Sequence, residues 1–217
     1  MQALVIGATG ATGKDLLNLL LKDNRFDQVT VFVRRDLKIV HEKLKVHVID
    51  FDQTEQWKSL VKGDVLFSCL GTTLKAAGSK DAQWKIDYTY QYEFAKAAKE
   101  NQVKHYVLIS AAYASSNSFF FYSKMKGQLE EAVTALSFPK LTIFNPPILK
   151  RKDSDRSTEV ASIKTIEFLN KLGLFSSQHP LPTEVLAQAM INAAKKQANE
   201  ISRIKGQAIW SGAGVSQ

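Results

Sequence analysis

Apolar and polar positions follow two rhythms along this chain. Short, nearly unbroken apolar runs read as strands: ALVIG (3–7), QVTVFVRR (28–35), KVHVIDF (45–51), DVLFSCLG (64–71), KHYVLISA (104–111) and LTIFNPPIL (141–149), the last ended by its prolines. Stretches with helical spacing lie between them. From Thr12 to Lys22, Leu16, Leu17, Leu20 and Leu21 share one face, and WKSLVKG reads as a short helix closed by Gly63. A long helix is expected from about Ala82 to Asn101 and another in FYSKMKGQLEEAVTAL, with TTLKAAGSK as a loop. Strands with no polar face, separated by helices, predict an α/β fold with a parallel sheet covered on both sides. Right-handed crossovers make that sheet doubly wound and Rossmann-like, with its ligand crevice beyond the carboxyl ends of the strands. Residues 1–217 are expected to form a single dinucleotide-binding domain, in which 150–217 is a small C-terminal appendage on the substrate side. Its predicted pieces are a helix near 159–172, the turn QHPLP, a helix near 183–197 and a final strand GQAIWS.

Composition changes this picture little. A chain of 217 residues with 45% hydrophobic residues can bury a sizeable core. The net charge of +8 raises nucleic acid as a partner. Its lysines and arginines are dispersed, however, and the densest basic stretch, KRKDSDR, carries two aspartates of its own. A solvated surface that favours anionic ligands is the preferred reading, and no nucleic-acid partner is expected. The single cysteine, Cys69, excludes an internal disulfide and multi-cysteine metal sites, and the four histidines show no ligand spacing, so no metal is expected. No apolar run reaches membrane-span length and the first residues already read as a strand, which predicts a cytoplasmic protein.

The chemistry begins at the cluster Gly7-Ala-Thr-Gly10-Ala-Thr-Gly13, between the first strand and the first helix. Gly7 and Gly10 would permit a sharp turn and close approach of backbone to a pyrophosphate, and Gly13 would let the helix pack closely on the strand. The helix N-terminus offers free N–H groups and the positive end of its dipole. A triphosphate loop fails twice, because its first glycine position holds Ala8 and its Ser/Thr position holds Asp15. A glycine turn without a ligand remains an alternative, but position after strand one favours a dinucleotide. Strand two ends in Arg34 and Arg35, where an acidic residue would hold the ribose of NAD and arginine accommodates the 2′-phosphate of NADP. NADP is therefore preferred to NAD, the alternative being a surface Arg35 paired with Asp36.

Ser110 ends strand five, and Tyr122 and Lys126 follow at i and i+4 on one helix face. A free phenol titrates near ~10, and a neighbouring ammonium favours its phenolate. Such a lysine can also bind the cofactor ribose. Serine can hydrogen-bond a substrate carbonyl while the phenol delivers a proton. The spacing recurs at Tyr92 and Lys96, but these precede strand five, so helix packing and solvation are their expected roles. Cys69 reads as a small buried hydrophobe. Phe119, Phe120 and Phe121 either roof a pocket or pack in the core. Asp87 and Glu93 are single carboxylates on a helix, without a pattern for acid–base work.

GATGATG, CLGTT, LISAAYASSNSFFFYSKMKGQLE and FNPPIL together resemble an atypical short-chain dehydrogenase/reductase, close to the NAD(P)H-binding Tat-interacting-protein oxidoreductases and their small bacterial relatives. The resemblance covers nearly the whole chain. It implies that Gly7, Thr9, Gly10, Ala11, Thr12 and Gly13 line the pyrophosphate, and that Arg34 and Arg35 take the adenosine ribose phosphate. Asp50 and Phe51 would meet the adenine, and Cys69, Leu70 and Gly71 would run beside the central ribose. Tyr122 and Lys126 would be catalytic, with Asn145, Pro146 and Pro147 near the nicotinamide. Two positions depart from the family pattern: Ser110-Ala111 stands where relatives have a serine pair, and Asn145 where they often have arginine. Ser110, or else Ser115, Ser116 or Ser118, would fill the serine role, or that role is empty.

The expected function is NADP(H)-dependent reduction of a small carbonyl substrate. The alternatives are a dinucleotide sensor that acts through a protein partner without turnover, and a nucleoside-diphosphate-sugar epimerase that uses the same residues.

Overall fold

The structure, a computed structural model, describes residues 1–150, 180–195 and 201–215. Seven parallel strands form one sheet in the order β3-β2-β1-β4-β5-β6-β9: β1 Gln2–Ile6, β2 Gln28–Val33, β3 Leu44–Val48, β4 Val65–Ser68, β5 His105–Ile109, β6 Lys140–Asn145 and β9 Ile201–Lys205. The order turns back on itself beside β1, where β1 pairs with β2 on one side and β4 on the other. That switch point opens the ligand crevice of a doubly wound fold. The α/β Rossmann-like architecture expected from the apolar runs is the one observed.

Alternating side chains on each strand feed two cores. Ala3, Val5, Val65 and Phe67 face Leu16, Leu17 and Leu20 of α1 (Ala11–Lys22) and the buried side of α7 (Thr183–Lys195). Leu4, Ile6 and Leu66 face the other way, into Phe94 and Ala98 of α5 (Tyr90–Glu100), Leu129 of α6 (Phe121–Ala135) and Trp57 of α2 (Thr54–Trp57). The period of two along the strands thus places one helical layer on each face.

Several expected elements differ. WKSLVKG resolves into the end of α2 and a 3-10 turn at Lys58–Leu60, which stops before Gly63. TTLKAAGSK contains a short helix, α3 (Leu74–Ala77), capped by Thr73 and ended by Gly78 in the left-handed region. The long helix is divided into α4 (Lys80–Trp84), a π-helical turn at Lys85–Thr89, and α5. After Asn145 the prolines end β6, and Leu149–Lys150 (β7) pairs with Leu181–Pro182 (β8). The expected helix near 159–172 lies outside the described residues, as do positions 196 and 197 of the helix beginning at Thr183.

GQAIWS is no strand. Gln207–Ala213 is a helix, α8, with Ile209 and Ala213 buried at i and i+4. The seventh strand is the preceding ISRIK, which the periodicity did not single out because Arg203 and Lys205 dilute it at the sheet edge. The later segments are fastened to the sheet layer. Thr183 Oγ1 donates to Asp15 Oδ2 of α1 at 2.6 Å, Lys195 pairs with Asp23 at 2.7 Å, and buried Lys140 Nζ donates to the Ala193 carbonyl.

Candidate active site

Corner geometry assigns the three glycines separate tasks. Gly7 has φ +81°, and a Cβ there would lie 2.4 Å from the carbonyl carbon of Cys69. A Cβ on Gly13 would lie 2.0 Å from the Gly7 carbonyl oxygen. Gly7 and Gly13 therefore let strand β1, the end of β4 and helix α1 close on one another; the space beside Gly7 belongs to β4, not to a pyrophosphate as expected. Gly10 is the open position. It is exposed, its N–H donates to the Gly7 carbonyl at 2.9 Å, and it stands as the N-cap of α1 without a capping side chain. The first turn holds no acidic residue. Lys14 N–H donates to Gly10 O, so the N–H groups of Ala11, Thr12 and Gly13 have no partner one turn earlier. A helix end bare in this way fits a diphosphate.

Gly10, Ala11 and Thr12 line a cleft of about 680 Å³ together with Cys69, Leu70 and Gly71 after β4, and with Ser110, Tyr122 and Lys126. Thr9 sits exposed on the outer side of the turn. Arg34 and Arg35 follow β2 directly, beyond the register pair Ile6↔Phe32, so they emerge beside the glycine corner. Both are exposed, and neither forms a salt bridge among the described residues, Asp36 included. Asp50 is exposed at the end of β3, its Oδ1 accepting from Asp52 N–H. The Phe51 side chain instead packs against Tyr90 and Phe94 in the core, so its ring is not free to meet an adenine. Burial raises the pKa of the Cys69 thiol, which suits the small-hydrophobe reading.

Tyr122 opens α6 and is 40% exposed, whereas Lys126, one turn further in, is 2% exposed. The ammonium of Lys126 donates to the Ile109 carbonyl at 3.4 Å and lies 3.6 Å from Asp87 Oδ1. Asp87 is fully buried in the π-helical turn, where Oδ2 accepts from Thr72 N–H and Oδ1 lies beneath Gly71. Desolvation pushes Asp87 up and Lys126 down, and the attraction between them opposes both shifts. Asp87, read from the sequence as a solitary carboxylate, is thus the counter-ion of the candidate lysine. It shares the buried face of Gln83, Gln91 and Phe94. Gln91, one turn further on, donates its amide to the Asp87 carbonyl, and its oxygen accepts from Ser68 Oγ of β4.

Ser110 is buried, and its hydroxyl donates to Glu130 Oε1 at 2.5 Å. A donor bond from Ser110 to a substrate carbonyl, as expected, is therefore not what this arrangement offers. Ser115, Ser116 and Ser118 do not replace it. Their loop lies against Gly127, where a Cβ would come within 2.2 Å of Ser115 and Ser116 backbone; Ser116 donates to Glu131, and Ser118 accepts from Phe120 N–H. Glu130 stands four residues after Lys126 and also accepts from Asn145 Nδ2 at 2.6 Å, with Arg203 Nε at 3.4 Å from its other oxygen. Sequence reading missed Glu130 and Arg203; the signal available for Glu130 was its i+4 relation to Lys126. Asn145, Pro146 and Pro147 line a second cleft of about 500 Å³, which shares Ser110, Tyr122 and Leu149 with the first. Tyr122 therefore stands between the two.

A family model described as NAD(P)H-binding matches residues 7–197. The chain belongs to the NAD(P)H-binding family. "Protein FMP52-1, mitochondrial" from Scheffersomyces stipitis is 35% identical over 90% of this chain and 89% of its own length. Protein HTATIP2 from Rattus norvegicus is 33% identical over 87% of this chain and 78% of its own. These relatives agree with the resemblance to atypical short-chain dehydrogenases/reductases. Among solved structures, UDP-glucose 4-epimerase from Thermotoga maritima superposes with a TM-score of 0.72 at 14% identity, covering 100% of this chain and 84% of that one. A short-chain dehydrogenase/reductase superfamily protein from Agrobacterium tumefaciens with bound NAD gives 0.71 at 14% identity, covering 95% and 77%. At such identity these two establish the fold alone. The cytoplasmic expectation for this NAD(P)H-binding protein does not stand, because the FMP52 relatives, including those of Meyerozyma guilliermondii and Saccharomyces cerevisiae, are named as mitochondrial. Among the described residues no helix is long and apolar enough to cross a membrane.

Proposed function

We propose that this protein is an NADP(H)-dependent oxidoreductase that reduces a small carbonyl compound, with Tyr122 as the proton donor. One juxtaposition supports the reading above all: the bare amino end of α1 and the side chains of Tyr122 and Lys126 line the same cleft. Ala11 and Thr12, with the exposed backbone of Gly10, hold the pyrophosphate in this reading, while Thr9, Gly7 and Gly13 shape the turn. Leu70 and Gly71 run beside the central ribose, and Arg34 and Arg35 take the 2′-phosphate by bidentate hydrogen bonds. The dinucleotide, when bound, supplies hydride to the carbonyl carbon. Tyr122 gives its phenolic proton to the carbonyl oxygen, so the product is the alcohol. Lys126 steadies the phenolate that remains, and Asp87 opposes the loss of the Lys126 proton that burial favours.

The test is a pair of titrations with one variant. NADPH should bind at least tenfold more tightly than NADH, and Arg34→Ser with Arg35→Ser should remove that difference. Tyr122→Phe should keep the NADPH affinity and lose at least ~100-fold in turnover. Equal affinities for the two dinucleotides would overturn the NADP preference. A wild-type protein that binds NADPH but oxidises none with aldehydes, ketones and quinones would be a sensor.

A further inference from the structure

The inner wall of the second cleft has already spent its protons. Asn145 is 2% exposed, and both hydrogens of its amide are committed, one to the Ala111 carbonyl at 2.9 Å and one to Glu130 Oε1 at 2.6 Å. Its Oδ1 has no partner among the described residues. Ser110, equally buried, gives its one proton to the same Glu130 oxygen. A carboxylate only accepts, so Glu130 draws the donors of both side chains inward and leaves their lone pairs. Arg203 Nε lies 3.4 Å from the other oxygen of the same carboxylate. Lys205 contributes a cation to the cleft, but at its exposed rim. The side chains at depth, beside Tyr122, are acceptors.

We infer that the second cleft selects carbonyl substrates that carry a hydroxyl on the neighbouring carbon, the hydroxyl donating to Asn145 Oδ1 or Ser110 Oγ while the carbonyl oxygen faces Tyr122. This deepens the reductase reading and rests on it for the carbonyl. A buried acceptor without a donor costs about 1–3 kcal/mol, and a substrate hydroxyl removes that cost. An ether oxygen or a second carbonyl at the same place would meet lone pairs with lone pairs.

Three probes of nearly one shape separate the possibilities: acetophenone, 2-hydroxyacetophenone and 2-methoxyacetophenone, the substituent in each case on the carbon next to the carbonyl. Their affinities for the full chain loaded with NADP⁺ can be measured by ligand-observed NMR, which needs no turnover. The hydroxyl compound should bind five- to tenfold more tightly than either other. Equal or tighter binding of the methoxy compound, or no binding of the hydroxyl compound, overturns the inference. Glu130→Gln supplies the cause. Its amide can donate to Ser110, release the serine proton to the cleft and bring the hydroxyl-to-methoxy ratio towards one; an unchanged ratio would mean that shape alone decides, against the inference. Should that variant not fold, Ser110→Ala removes one acceptor and should at least halve the ratio, with the same consequence if it does not. NADPH oxidation with the same ketones tests the reductase reading separately, since binding preference and turnover can fail independently.

Discussion

A methyl group at position 7 would meet the Cys69 carbonyl carbon at 2.4 Å, on a backbone already at φ +81°. Gly7→Ala should therefore lower thermal stability by about 1–3 kcal/mol and weaken NADPH binding, read by melting with and without the dinucleotide. Asp87 offers a subtler test. Its carboxylate raises the Lys126 pKa against desolvation, so Asp87→Asn should let the amine lose its proton at lower pH. The alkaline limb of the kcat/KM profile should shift towards acid, while a merely structural role would leave the limb in place. Residues of this kind divide by how sequence exposes them. The glycine spacing and the Tyr122–Lys126 pair lie within a single turn and were legible. Asp87, 39 positions before Lys126 in chain number, and Arg203, 73 from Glu130, meet their partners only through the crossovers.

Among elements, the π-helical turn at Lys85–Thr89 carries Asp87, the counter-ion of Lys126. An unbroken helix from Ala82 to Asn101 was the natural reading of its apolar spacing, since one extra residue in a turn hardly disturbs a pattern of period 3.6. The buried Gln91 bridges Asp87 O and Ser68 Oγ across that turn. Gln91→Leu should remove both bonds, cost about 1–3 kcal/mol, and reduce turnover more than NADPH affinity. Urea unfolding and steady-state kinetics on one preparation would check both. The swap at the carboxyl end has a different origin. An edge strand pairs on one side only, so ISRIK has charged residues at alternate positions, whereas AIW looks strand-like yet buries Ile209 and Ala213 against α7 at helical spacing.

For the whole molecule, acid is the informative perturbation. Burial, with Lys140 adding to it, pushes the His105 imidazole down to about 3 from its ordinary 6.5. The unfolded chain then takes up a proton between those values that the folded chain refuses. Stability contributed by neutral His105 is complete above about pH 6.5 and falls as pH drops, by about 1.4 kcal/mol per unit, until about pH 3. Burial lowers His47 as well, so part of the slope in that window is its own. Asp23, held down chiefly by Arg25 with Lys195 assisting, adds its loss only below the ordinary carboxylate value of 3.8. Urea titrations from pH 7 to 4 should show the decline, and His105→Gln should flatten much of it. Parallel order, two helical layers and the crevice were legible because the central strands β1, β4, β5 and β6 are buried on both faces. The ties that lock α7 to α1 were not, being isolated pairs of polar residues. The position of β9 bears on biosynthesis. Arg203 and Lys205 reach the ribosome exit long after the glycine corner, Tyr122 and Asn145, so a growing chain has translated the described residues of the first cleft before the guanidinium beside Glu130 exists. Under the proposed reading, the wall that would choose a substrate is completed only after the pocket that would hold the dinucleotide.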